Sequence, residues 1–275
     1  MEPDYIDSLN MPVFAASAIF AGFTHIEAAE RIRSGISEPA LGMLSSSKMQ
    51  LCPQNRSSLN EQACFDLVSI NPSTEFRIHA NTSCGGLFGL HDASSDWSNP
   101  SFSAWKKQLA IACGLLGAKA YSWHAGRAVN CSLQQAIDRT MSLEQELGIV
   151  VGVEGMYPSS ATPWLMSSFK DYETVMLSGA SFAVDLSHWQ IIACASGATE
   201  TTLLKELLTH PKCMEIHLSD NDGKRDNHGK LTRKPFWFTI LTQLQAKGLI
   251  KADVFSEGLQ ESKKLGHEAK KISLY

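Results

Sequence analysis

The chain has 275 residues, 44% of them hydrophobic and 19% charged, with a formal net charge of −4. That is the composition of an ordinary globular protein, and it has no basic excess of the kind that advertises nucleic-acid binding. Seven scattered cysteines with no CxxC spacing exclude a zinc finger or a disulfide framework and fit reduced thiols in a cytoplasmic protein. The start, "MEPDYIDSLN", lacks the basic opening of a signal peptide, and no apolar run approaches the ~20 residues of a membrane span.

Short apolar runs alternate with longer amphipathic stretches, which is the pattern of a parallel sheet with crossover helices. In chain order the predicted strands are "MPVFAAS" (11–17), "ALGMLSS" (40–46), "EFRIHA" (75–80), "AKAYSWH" (118–124), "IVVGVEG" (149–155), "SFAVDL" (181–186), "CMEIHL" (213–218) and "ADVFSEG" (252–258). Between them, "FSAWKKQLAIACGLLG" reads as a helix stopped by Gly117, and "SLQQAIDRTMSLEQELG" as one capped by Ser132 and stopped by Gly148. "TTLLKELLTH" ends before Pro211, and Pro235 opens "PFWFTILTQLQAKG" as a first helical residue. Residues 18–39 and 47–60 are weakly periodic. Eight alternations with no Pro/Gly/Ser-rich linker predict an α/β fold, a single eight-stranded parallel (β/α) TIM barrel over residues 1–275.

In such a barrel the functional groups stand at the C-terminal ends of the strands. There the sequence places His79, His124, Glu154, Asp185 with His188 one turn later, His217 followed by Asp226 and His228, and Glu257. Burying that many unpaired imidazoles and carboxylates costs many kcal/mol, and divalent cations are the obvious compensation. The spacing in "DLSH" lets strand end and turn each face an ion, and "RDNHG", if extended, points Asp226 and His228 the same way. Of the other histidines, His25, His210 and His267 read as surface or packing residues, and His91 as part of a solvated loop.

These segments, "IHA", "WHAGR", "VEG", "DLSH", "HLSDNDGKRDNH" and "SEG", resemble the xylose isomerase-like barrel superfamily, which includes the endonuclease IV family and many sugar isomerases and epimerases. The resemblance runs from about residue 75 to 258. It implies up to three ions, usually zinc: His79, His124 and Glu154 around one, Glu154, Asp185, His217 and Glu257 around a second, and His188, Asp226 and His228 around a third. Manganese and iron suit the same nitrogen and oxygen donors. The sugar-isomerase version implies one ion on Glu154, Asp185, His217 and Glu257, with His188 touching substrate. Departures bear on DNA recognition. Asn81, Thr82 and Ser83 follow the first His where endonuclease IV proteins have a Tyr, Ala125 replaces a Pro, and Asn227 an Arg.

Three functions are weighed. The first is metal-dependent hydrolysis of a small phosphoester or phosphodiester, nucleic acid being the less favoured substrate, with Glu154 orienting the attacking water. The second is aldose–ketose isomerisation or epimerisation, Glu154 and Glu257 moving the proton and His188 assisting. The third is a barrel without catalysis that binds a ligand. Arg127, Lys224 and Arg225 are candidate phosphate partners, and Trp123 and Trp189 candidate pocket walls. "RKPFWF" offers a nucleic-acid contact, although Phe236 and Trp237 fit better as helix packing.

Overall fold

The computed structural model describes residues 9–86 and 91–263. Eight parallel strands close into a barrel: β1 Phe14–Ala16, β2 Ser45–Leu51, β3 Glu75–His79, β4 Ala120–His124, β5 Val150–Glu154, β6 Ser181–Asp185, β7 Cys213–Leu218 and β8 Asp253–Ser256. They are neighbours in chain order, with β8 closing onto β1. The helices are α1 His25–Arg33, α2 Glu61–Ile70, α3 Pro100–Leu116, α4 Leu133–Leu147, α5 Phe169–Leu177, α6 Leu186–Ser196, α7 Thr201–Thr209 and α8 Phe236–Ala246.

Local chemistry sets most boundaries. Asn99 caps α3 with Pro100 in its first turn, and Gly117 ends it at φ +62°. Ser132 and Gln135 form a reciprocal capping box on α4, which Gly148 ends at φ +66°. Pro235 is the residue before α8 rather than its first. The weakly periodic stretch at 18–39 holds α1, started by a Thr24–Glu27 capping box.

The second strand is not at 40–46. Residues Ser37–Glu38 and Gly42–Met43 pair as a small antiparallel hairpin, and the barrel strand is Ser45–Leu51. Its sequence, "SSSKMQL", hides it, because only Met49, Gln50 and Leu51 are buried and Lys48 works as an ion-pair partner. Hydrophobicity could not mark a strand whose inward groups are polar.

Apolar side chains between barrel and helices form the main core, from Phe23 and Ile78 to Trp123, Phe182 and Trp237. The barrel interior is different. Arg77 (β3) pairs with Glu215 (β7) and Asp253 (β8), Lys48 (β2) with Asp253, and a small cluster containing Phe14 and Phe255 sits beside them. No helix among the described residues is long and apolar enough to cross a membrane.

Candidate metal centre

Strand register decides which side chains meet at the rim. His124 of β4 is level with Glu154 of β5, and Asp185 of β6 with His217 of β7. Glu154 is the hub. Its Oε2 lies 3.2 Å from His79 Nε2 and 3.5 Å from His124 Nε2, while Oε1 lies 3.2 Å from His217 Nδ1. Each oxygen of one carboxylate therefore faces different imidazoles.

The remaining donors continue the circuit. Glu257 places Oε1 3.7 Å from His217 Nδ1 and Oε2 3.3 Å from His228 Nδ1. Asp226 Oδ2 stands 3.1 Å from His228 Nε2 and 3.2 Å from His188 Nε2, and Asp185 Oδ2 is 3.6 Å from His188 Nε2. Among the described residues three donor groups are tight enough to hold an ion: His79–His124–Glu154, His79–His217–Glu257 and Glu154–Asp185–His188. The first is the trio that the resemblance implies. In the other two the donors are shared differently, with His188 joining Asp185 rather than only Asp226 and His228.

That sharing has a local cause. Asp185 ends β6 and also caps α6, its Oδ1 accepting from the backbone N–H of Ser187 at 2.6 Å and of His188 at 3.1 Å. The cap fixes Oδ1, and the first helical turn brings His188 to the same side as Oδ2. Asp226 and His228 converge without an extended "RDNHG". His228 is in the left-handed region at φ +44°, and Gly229 pairs with Asp220 through two backbone hydrogen bonds.

Neighbours select the ring nitrogens. His79 Nδ1 contacts Ser122 Oγ at 2.9 Å and His188 Nδ1 donates to the Gly155 carbonyl at 2.7 Å, so Nε2 of each faces the cluster. His217 is reversed: Nε2 lies 3.2 Å from Glu215 Oε2 and 3.0 Å from Gln50 Nε2, which leaves Nδ1 for the cluster. Glu215 is itself held by Arg77 Nη1 at 2.9 Å and by Gln50 Nε2 at 2.9 Å. The sequence reading passed over Glu215, Gln50 and Ser122. The signal for Glu215 was its two-residue offset from His217 on one strand, which puts both on the inward face.

Electrostatics follow burial. Burial is the largest cause that pulls His79 down to about 4, with His217 and His124 adding to it against Glu154 and Glu257, and this favours the neutral imidazole that a metal ligand needs. For His188 burial opposes the charge, but Asp185 and Asp226 outweigh it and push it up to about 10. His217 behaves alike, burial being outweighed by Glu257 and Glu154. Burial also works against the Glu154 carboxylate, yet His79 and His217 hold it well below the usual range. Glu215 is pulled down to about 2 against burial by His217 and Arg77.

The residues fit divalent cations on an observation independent of family. Glu154 Oε2 and Glu257 Oε1 are buried with no hydrogen-bond donor, and both look into the ring of imidazoles. A buried carboxylate oxygen without a donor is costly, and a cation would supply the missing partner. The donors are nitrogen and oxygen throughout, which suits zinc, manganese or iron. His124, Asp226 and His228 keep 19%, 13% and 26% of their side chains exposed, which marks the open side of the ring.

Other expected site residues lie elsewhere. Trp123 is fully buried on the outer face of β4, where it stacks on Trp105 and donates to Thr140 Oγ1 at 3.0 Å. Trp189 packs on Phe169 and Tyr172 of α5 and donates to the Thr199 carbonyl. Neither walls the pocket, because the alternation that turns His124 inward turns Trp123 outward, and α6 turns Trp189 toward α5. Lys224 and Arg225 are exposed on a turn whose backbone N–H groups are bound by Asp222, with Lys224 facing a surface groove beside Pro158 and Cys194. Arg127 does reach a cavity at the mouth, next to His124. His91 is buried between Phe102 and Trp105, not solvated, and His267 lies outside the described residues.

The fold is that of the xylose isomerase-like TIM barrels. A D-tagatose 3-epimerase-like protein superposes with a TM-score of 0.64 at 13% identity, over 95% of this chain and 94% of the other. An AP endonuclease, family 2, from Brucella melitensis gives 0.60 at 13% identity over 92% and 95%. An IolI protein with a zinc atom bound gives 0.58 at 10% identity over 90% and 88%. No protein-family model matches the sequence, and no curated protein matches it.

Proposed function

We propose that the chain is a metal-dependent phosphoester hydrolase with a multinuclear site, zinc being the first candidate metal and manganese or iron the others. One observation carries this reading: Glu154 turns one oxygen to His79 and His124 and the other to His217, the geometry of a carboxylate shared between two ions. Four carboxylates and five imidazoles in one continuous ring exceed what a single ion can use. The endonuclease-like neighbour is consistent with this chemistry.

Bound cations supply the Lewis acidity that draws charge off a phosphate and lowers the pKa of an attacking water. The protein's own part is positional. Glu154, with its two oxygens turned to different imidazoles, would hold the cations beside which the attacking water is oriented. Asp226 and His228, on the open side, face the substrate, and Glu215 with Ser122 holds the imidazoles in the required tautomers.

Isomerisation or epimerisation is the second reading. It is favoured by His217 Nδ1 standing between Glu154 and Glu257, which puts two acids around one donor, and by the epimerase-like neighbour. Metal analysis of the purified protein, run with a panel of phosphoesters and ketoses, separates the two. About three ions and ester turnover support hydrolysis, whereas one ion and epimer formation support the second reading.

A further inference from the structure

Beside the ring, on the far side of His124, lies a cavity of about 180 Å³ lined by Asn81, Asp92, Ser95, Arg127, Asn130, Met156 and Trp164. Its walls come from three loops that are tied together. Ser94 Oγ accepts from the Arg127 backbone N–H at 3.0 Å and from Asn130 Nδ2 at 3.2 Å. The Leu165 N–H donates to the Gly126 carbonyl at 2.8 Å, and Arg127 and Trp164 pair as an antiparallel bridge. Gly126 is required there: φ is +88°, and a Cβ would fall 2.4 Å from both Asp92 Oδ1 and Ser94 Oγ. The chamber is therefore built into the fold, not a chance gap between mobile loops.

Its chemistry is mixed. Arg127 and Asp92 bring opposite charges, Asn81, Asn130 and Ser95 bring neutral donors and acceptors, and Met156 with Trp164, which carries the Arg127 guanidinium 5.8 Å over one face of its ring, brings the apolar part. Asn81 Oδ1 is buried and has no donor. A second phosphate would need a net basic lining, and Asp92 works against one. A flat apolar wall with balanced hydrogen-bonding groups suits an uncharged group bearing hydroxyls. The volume holds on the order of six water-sized groups, which matches a short polyol and excludes a polymer.

We propose that this chamber is a specificity subsite for the alcohol portion of the ester, a short uncharged polyol, held against Trp164 while its phosphate meets the ring. The assignment to an ester rests on the hydrolase reading above; the polyol site itself does not. Two measurements keep them apart. Saturation-transfer NMR with free ribitol probes the chamber, and calorimetry with inorganic phosphate on zinc-loaded protein probes the ring. Ribitol receives saturation from the protein, and Trp164→Ala and Asn81→Leu, each checked for folding by circular dichroism, lose most of that transfer. Ribitol phosphate binds the zinc-loaded protein about tenfold more tightly than phosphate does. No ribitol transfer, or transfer that survives in both folded variants, overturns the subsite whatever phosphate does. Phosphate that fails to bind overturns the hydrolase reading alone. A thymidine dinucleotide that binds more tightly than ribitol phosphate, with Trp164→Ala abolishing the gain, overturns the polyol assignment in favour of a nucleic-acid strand.

Discussion

Glu215 Oε2 sits 3.2 Å from Nε2 of His217, fully buried and two residues away on the same strand. Together with Gln50, whose Nε2 lies 3.0 Å from the same nitrogen, this contact turns Nδ1 of His217 toward Glu154 and Glu257. Through Arg77 it also couples the rim to the ion-pair layer in the barrel interior, with Glu215 Oε1 2.9 Å from Nη1. The interior charges thus serve the site as well as the fold.

Glu215→Gln should weaken the binding of one ion by roughly 10–100-fold, the usual cost of losing a group that orients a ligand histidine. The test is a cobalt titration followed by absorbance, where the loss should fall on one binding phase. Equal affinity and unchanged spectra would remove the positioning role. Glu215→Leu is the poorer variant, because it leaves Arg77 buried beside a missing partner, a change that costs about 3–5 kcal/mol.

Zinc should raise the melting temperature. At a free concentration a hundredfold above Kd the gain is about 2.7 kcal/mol, which for a chain of this size is on the order of 5 °C or more. In Glu154→Gln most of that shift should vanish, since Glu154 contacts three of the imidazoles. Differential scanning fluorimetry with and without chelator checks both; a full shift in the variant would contradict the hub assignment.

Metal uptake should release protons. Without cations His188 is pushed up to about 10, burial being outweighed by Asp185 and Asp226, and His217 lies well above its ordinary value for the like reason. Both are therefore protonated near neutral pH, and a ligand imidazole must be neutral. Apparent zinc affinity should fall as the pH is lowered from about 8 to 6, with net proton release in a weakly buffered titration. Affinity that is flat across that range would exclude these two as ligands.

His25 offers a separate test of burial. Neither ring nitrogen has a partner, and burial pulls it down to about 3. The unfolded chain binds its proton near 6.5, so between about pH 6.5 and 3 the unfolded state holds more protons and stability falls as the pH falls, by up to about 1.4 kcal/mol per unit. His25→Phe should remove that contribution while costing little at neutral pH. Urea unfolding of both proteins at several pH values measures the difference, and parallel curves would refute it.

The sequence by itself determined the periodic architecture and the identity of the nine rim donors. Strand ends such as "VEG" and "DLSH" can be read from alternation, and helix stops such as Gly117 and Gly148 from backbone chemistry. It missed β2, because "SSSKMQL" carries polar inward groups that pair only with residues far along the chain, Lys48 with Asp253 and Gln50 with Glu215. Tertiary structure alone decided how donors are shared, which imidazole nitrogen each presents, and that Trp189 packs toward α5, whereas Trp123 facing outward follows from its alternation with His124. Those tertiary outcomes depend on register between strands and on partners brought from other strands and loops, such as Ser122 for His79 and Gly155 for His188. His217 was legible as a donor; that it works through Nδ1, because Glu215, Gln50 and Arg77 come together behind it, became visible only once the barrel had closed.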